Sequence, residues 1–208
     1  LNKACYAFTA LDLGAGLKNM YPCKTSTKDE TVRRLMHFTG ARNFEQVSSD
    51  GSAEIKLAAE ELVSNQKTSL PSMPQSNAVI ERQNRDMLEG TRTTLEMAGL
   101  PACFWTFACW HYCTSSNIGN GDDPSVPWQK LHGSAFPGER IPFGAAVTFR
   151  PAETKSMKKI KMAPKGHRGI FAGYVSNPGY EWSGHFLVWG LADFRDADLH
   201  AQSRLMVG

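Results

Sequence analysis

Pro74-Gln75-Ser76-Asn77-Ala78-Val79-Ile80-Glu81-Arg82-Gln83-Asn84-Arg85 is the stretch around which this chain is organised. Its front half is turn chemistry: Pro71 and Pro74 oppose a helix before them, and Ser76 or Asn77 can cap one that follows. Its back half opens a helix expected to run to about Ala98. At ~100° per residue, Ile80, Met87, Leu88, Thr91, Leu95 and Ala98 line one face. Glu81 falls about a quarter-turn off that face, in a stripe with Arg85, Leu88 and Arg92. In the first helical turn the positive end of the helix dipole favours an ionised carboxylate. A charged group held rigidly at the edge of a core suits a metal ligand. The plainer alternative is a surface ion pair between Glu81 and Arg85 at i and i+4.

Length and composition set the frame. The 208 residues suffice for one sizeable domain or two small ones. A hydrophobic fraction of 41% and a charged fraction of 21% are ordinary for a soluble globular protein. No run of about 18 apolar residues occurs, so no membrane span is expected. Leu1 to Tyr6 enters a strand-like pattern directly and does not read as a signal peptide; the missing initial Met fits a piece of something longer. A net charge of +3 is a weak pointer to a polyanionic partner. Cys5, Cys23, Cys103, Cys109 and Cys113 are odd in number and contain no C-x-x-C pair, so reduced core thiols are expected, not a disulfide framework or a zinc knuckle.

Taken in order, Cys5 to Leu11 reads as a buried central strand and Leu17 to Cys23 as a second, with Asp12 and Gly14-Ala15-Gly16 turning the chain between them. Asp12 serves equally well as a turn residue. Thr27-Lys28-Asp29-Glu30 has the form of a capping box, opening a helix that ends near Gly40. Phe44 to Ser49 is a weak strand signal. Asp50 follows, and precedes a helical stripe of Ile55, Ala58, Ala59 and Leu62, so it can act as an N-cap. Gly99-Leu100-Pro101 stops the long helix, and Phe104-Trp105 begins another that carries Tyr112. The aromatics there suit core packing or a base-stacking platform. Asn117 to Pro127 reads as a linker. From Ile141 the texture turns to short strands: Ala145 to Phe149, Gly169 to Tyr174 and His185 to Trp189. Between the first two, Arg150, Lys155, Lys158, Lys159, Lys161, Lys165 and Arg168 are opposed only by Glu153. Such a run is either a solvated loop or a surface for phosphate backbones.

Several of these segments together resemble the integrases of copia-type (Ty1/copia) LTR retrotransposons, relatives of retroviral integrases. The Pro74-to-Arg85 string resembles the family's P-Q-x-N-G-x-x-E-R-x-N-R, with Ala78 where the family has Gly. Leu11-Asp12-Leu13-Gly14 resembles its first catalytic strand end. Ser49-Asp50-Gly51-Ser52-Ala53-Glu54 resembles its S-D-N-G-x-E, with the Asn missing or shifted. The spacing from Asp12 to Asp50 is 38 residues, and that from Asp50 to Glu81 is 31, a few short of the family interval. Leu100 to Ala108, Pro127 to Gly133, Phe143-Gly144 and Gly169 to Tyr174 resemble later family segments, so the likeness covers about residues 4 to 190.

The resemblance implies an α/β fold: a ribonuclease-H-like mixed sheet flanked by helices (residues 1–118), a linker (119–140), a small SH3-like β-barrel (141–194) and a tail (195–208). It implies metal-dependent polynucleotidyl transfer, namely 3′-end processing and strand transfer of element DNA into target DNA. Asp12, Asp50 and Glu81 would be the catalytic carboxylates and the ligands of Mg²⁺ (or Mn²⁺). Gln75, Asn77, Arg82, Arg85, Lys158, Lys159, Lys161, Lys165 and Arg168 would contact DNA. The implied setting is a polyprotein product, a homo-oligomer on DNA, working in the nucleus after cytoplasmic synthesis. The six His form no H-x-x-x-H pair near a Cys pair, so the zinc-binding module that precedes many integrase cores is not expected here. The departures at Ser52, Ala78 and in the second interval motivate an alternative, a decayed or repurposed relic that only binds nucleic acid. A further alternative is a ribonuclease-H-like nuclease.

Overall fold

The computed structural model describes residues 4–42, 47, 52–62, 74–119, 123–150, 166–194 and 199. It is a mixed α/β protein whose elements gather around one helix. Strands β1 (Tyr6–Leu11) and β2 (Lys18–Cys23) form an antiparallel hairpin in register from Tyr6 opposite Cys23 to Leu11 opposite Lys18. Helices α1 (Lys28–Thr39), α2 (Ala53–Leu62), α3 (Pro74–Ala98), α4 (Trp105–Ile118) and α5 (Pro127–His132) follow. Strands β3 (Ala146–Phe149), β4 (His167–Asn177) and β5 (Glu181–Gly190) close the chain as an antiparallel sheet in the order β3-β4-β5. Among the described residues no helix is long and apolar enough to cross a membrane.

Helix α4 is the spine, packing against β2, α3, α5 and β4. Its last turn holds the start of β2 through Asn117, which is fully buried. The Asn117 amide donates to the Lys18 carbonyl at 2.7 Å and accepts from the Lys18 N–H at 3.1 Å. One side chain thus does for Lys18 what a neighbouring strand would do, satisfying both backbone groups of a strand edge. The linker expected from Asn117 onward therefore begins later, because α4 continues through Ile118. Trp128 and Phe136, from the expected linker, are buried in one apolar cluster with Leu17, Tyr21, Phe38, Ile118, Phe171, Tyr174 and Tyr180. Cys23, Cys103, Cys109 and Cys113 are buried, and burial pushes the Cys113 thiol up to about 12.

Several local expectations are corrected. The β1 strand is not buried along its whole length: Tyr6 is 55% exposed, and among the described residues β1 pairs with β2. Thr27 stands at the N-cap of α1 without a side-chain capping bond. Its capping-box partner Glu30 binds Arg34 instead, accepting from Nε at 2.9 Å and Nη2 at 2.5 Å, and pairs with Arg33 at 2.9 Å. A guanidinium fork outbids a backbone N–H for a carboxylate. Helix α3 begins at Pro74, ahead of the expected caps at Ser76 or Asn77. A proline at the first helical position costs no hydrogen bond and presets φ, so Pro74 opens the helix that it was expected only to precede. On α3, Met87, Thr91 and Leu95 are buried as expected, but Leu88 is 42% exposed and lies with the Glu81 stripe. The buried face is set by α4: a Cβ at Gly90 would come within 2.1 Å of the Tyr112 ring, so Gly90 lets the two helices meet. The aromatics at the start of α4 are core residues, with Phe104 stacked edge-on against Trp189 at 4.8 Å.

The tip of the β4–β5 hairpin docks on the end of α1. The Gly179 N–H donates to the His37 carbonyl at 2.8 Å. Gly40, which ends α1 at φ 59, lies so near that a Cβ on it would be 2.5 Å from the Gly179 Cα. Backbone meets backbone there with no side chain between.

Candidate active site

Asp12 sits just past the end of β1, in the tight turn of the first hairpin. Its backbone N–H donates to the Leu17 carbonyl at 2.8 Å, and its carbonyl accepts from the Gly16 N–H at 2.7 Å. Both oxygens of the carboxylate accept hydrogen bonds. Oδ1 accepts from the N–H groups of Gly14 at 2.9 Å and Ala15 at 3.2 Å, an Asx-type turn. Oδ2 accepts from Arg42 Nη1 at 2.8 Å, with the two side chains 17% and 23% exposed. Arg42 lies just beyond the C-terminus of α1 and caps it: Nη2 donates to the Phe38 carbonyl at 2.6 Å and Nε to the Thr39 carbonyl at 3.1 Å. Its guanidinium also lies 5.6 Å from the Phe38 ring centre. Cationic groups bonding the last carbonyls of a helix complement its dipole.

Glu81 is on α3 and exposed, as are Arg82 and Arg85. With α3 starting at Pro74, Glu81 is its eighth residue and lies beyond the first turn, where the dipole acts. The helix dipole therefore does not act on Glu81. Gln75 and Asn77 lie on the first turns of α3, where only the backbone is described. Asp50, and with it the convergence of three carboxylates, lies outside the described residues, as do Lys155, Lys158, Lys159, Lys161 and Lys165. Arg168 is exposed on β4, beside the partner pair Phe149 and His167. Among the described residues no group of three or more His, Cys, Asp or Glu could hold a metal.

Carboxylate oxygens are the ligands that hard divalent cations prefer, but Asp12 as it stands is one carboxylate with donors on both oxygens, and Oδ2 faces the positive charge of Arg42.

A second polar cluster joins β2, α3 and α4. Lys18 Nζ bonds Asp86 Oδ2 at 2.5 Å, the Tyr112 hydroxyl donates to Asp86 Oδ1 at 3.0 Å, and Lys18 lies 4.9 Å from the Tyr112 ring centre. Burial and the neighbouring Asp86 carboxylate push the Tyr112 phenol up to about 12. This cluster fixes α3 to the hairpin that carries Asp12. Neither it nor Arg42 was singled out by sequence. A basic residue just past Gly40 carries a capping signal that could have marked Arg42, but nothing local points to Asp86.

No family model matches the chain. An alignment 114 positions long, covering 49% of the chain, is 32% identical to the retrovirus-related Pol polyprotein from transposon TNT 1-94 of Nicotiana tabacum. The alignment spans 8% of the polyprotein. Among solved structures, a chain of the simian T-cell lymphotropic virus intasome in complex with the PP2A regulatory subunit B56 gamma matches with a TM-score of 0.45 and 16% identity, over 88% of this chain and 70% of that one. The chain is thus similar in sequence to part of a retrotransposon Pol polyprotein.

Proposed function

We propose that this chain is the integrase portion of a copia-type retrotransposon polyprotein, joining element DNA to target DNA by polynucleotidyl transfer. The observation that carries the reading is its 32% identity to the transposon Pol polyprotein over half its length. In this reading Asp12, Asp50 and Glu81 hold Mg²⁺ or Mn²⁺. Two such ions supply an activated oxygen nucleophile and a stabilised leaving oxygen at a phosphodiester. The chain's own residues do the placing. The hairpin turn fixes Asp12 by its bonds to Gly14 and Ala15. Helix α3, pinned to the hairpin through Asp86 and Lys18, offers Glu81 to solvent. Gln75, Asn77, Arg82, Arg85, Lys158, Lys159, Lys161, Lys165 and Arg168 meet the DNA backbone, where contacts position without reading bases. A ribonuclease-H-like core followed by an SH3-like barrel, assembled as a homo-oligomer on DNA in the nucleus, completes the proposal.

One observation favours a second reading, a copy that binds nucleic acid without catalysis: both Asp12 carboxylate oxygens are occupied by protein donors. Strand transfer separates the two. A duplex with a recessed 3′-hydroxyl is incubated with supercoiled plasmid in Mg²⁺ or Mn²⁺. The integrase joins them and Asp50→Asn does not, while retaining DNA binding. Binding without joining by the wild type establishes the second reading. Wild-type activity in Asp50→Asn removes that residue from the metal set.

A further inference from the structure

We infer that the tip of the β4–β5 hairpin is a latch: Tyr180 seats in α4 or leaves it as one unit, and its leaving loosens the hold of Asn117 on the start of β2. Asn177 pairs with Glu181 across the hairpin, so Pro178, Gly179 and Tyr180 form the loop. The last residue of a three-residue hairpin loop commonly takes the left-handed conformation, which glycine adopts without a Cβ penalty. Here that position holds a tyrosine at φ 66, the one non-glycine residue with a positive φ among the described residues. Such strain persists where the surroundings over-determine the backbone.

The surroundings that do so belong to the helices and β2. Tyr180 is 1% exposed and shares an apolar cluster with Leu17, Tyr21, Phe38, Ile118 and Trp128. Its hydroxyl lies 3.2 Å from Thr114 Oγ1, and the Asn117 side chain bonds it as well. Asn117 is the residue that holds both backbone groups of Lys18. Beside it the Gly179 N–H is bonded to the His37 carbonyl, against the backbone of Gly40. Once the phenol withdraws, the tip relaxes toward the negative φ that an L-residue prefers. That rotation re-aims the side chain, so a half-seated tip has no stable position. Withdrawal also takes a partner from the Asn117 amide and frees it to turn away from Lys18. The sheet that closes the chain thus becomes a condition for the placement of the first hairpin.

The test is native-state amide hydrogen exchange of the full chain in low urea, read at Gly179 and Lys18. In the wild type both amides should exchange through one shared opening, with a smaller urea dependence than the Cys109 amide inside α4. Tyr180→Phe keeps the ring and removes the hydroxyl, and should speed both amides by the same factor, about fivefold for one net hydrogen bond. Gly40→Ala attacks the seat from α1, where its Cβ would stand 2.5 Å from the Gly179 Cα, and should also speed both. Faster exchange at Gly179 with Lys18 unchanged overturns the coupling, and unchanged exchange at both overturns the latch. Should neither variant fold, the wild type decides. Separate openings for the two amides, or exchange of both through global unfolding alone, would sink the idea.

Discussion

Asn117→Ala tests the clamp that places the first hairpin. Asn117 is 0% exposed and bonds both backbone groups of Lys18, at 2.7 and 3.1 Å. Truncation leaves the Lys18 N–H and C=O facing a void at the strand edge, and an orphaned buried polar group costs about 1–3 kcal/mol. Lys18 lies near the surface, its side chain 12% exposed, so water partly rescues one group. A total loss of about 3 kcal/mol follows, or a fall of roughly 6–12 °C in melting temperature for a chain of this size. Urea unfolding followed by circular dichroism measures it, with an unchanged m-value as the check that the comparison is valid. Asn117→Asp keeps the shape but turns an acceptor toward the Lys18 carbonyl. It should be worse than Ala at pH 7 and should recover on acidification, as the carboxyl regains a proton to donate. A loss below about 1 kcal/mol in Asn117→Ala would refute the clamp.

Gly90→Ala forces a methyl group to 2.1 Å from the Tyr112 ring, and overpacking of this kind costs about 1–3 kcal/mol, readable as a lowered melting temperature. Burial lowers the pKa of His37, His111 and His132. Their contribution to stability is therefore present above the unfolded histidine pKa and is lost as pH falls through the folded values. Urea midpoints should drop on acidification from pH 7, with a slope of up to about 1.4 kcal/mol per pH unit for each proton bound only by the unfolded chain. Replacing Lys158, Lys159 and Lys161 together with Ala should weaken DNA binding equally across sequences and flatten the log-affinity against log-salt slope by about 0.9 per lost contact, measured by fluorescence anisotropy.

Most of the elements were legible because their signals are local. Pro101 and Gly99 end α3, Gly40 ends α1, and the texture change after Ile141 announces three strands that the structure pairs in sequence order. The misreadings share a cause. Pro74 has the composition of a breaker and the position of an opener. Periodicity alone puts Leu88 in the core, whereas the neighbour that decides the buried face is Tyr112, on another helix. Asn117 looked like linker composition because its partner, Lys18, is 99 residues away. At the candidate site the local turn at Asp12 is what the sequence shows. The motif brought attention to Asp12, and its turn chemistry could be anticipated from Gly14 and Gly16. Its ion pair with Arg42 spans 30 residues and depends on where α1 ends in space. Asp86, which ties α3 to β2, carries no sequence mark at all.

The contact between Gly40 and Gly179 has a consequence for how the molecule opens. Side chains between packed elements let them slip past one another or repack by rotamer changes. Two backbones in direct contact have no such intermediate positions, so the sheet tip and the end of α1 are either seated or fully apart. The Gly179 amide, bonded across that contact to the His37 carbonyl, is thus a single-site reporter of their separation. Its hydrogen exchange should follow one cooperative opening that includes the C-terminal turn of α1 and the β4–β5 tip, with no gradual fraying of either element alone. Because Arg42 rests on that same helical turn, the exchange rate of Gly179 also clocks how often the ground beneath the Asp12 ion pair gives way.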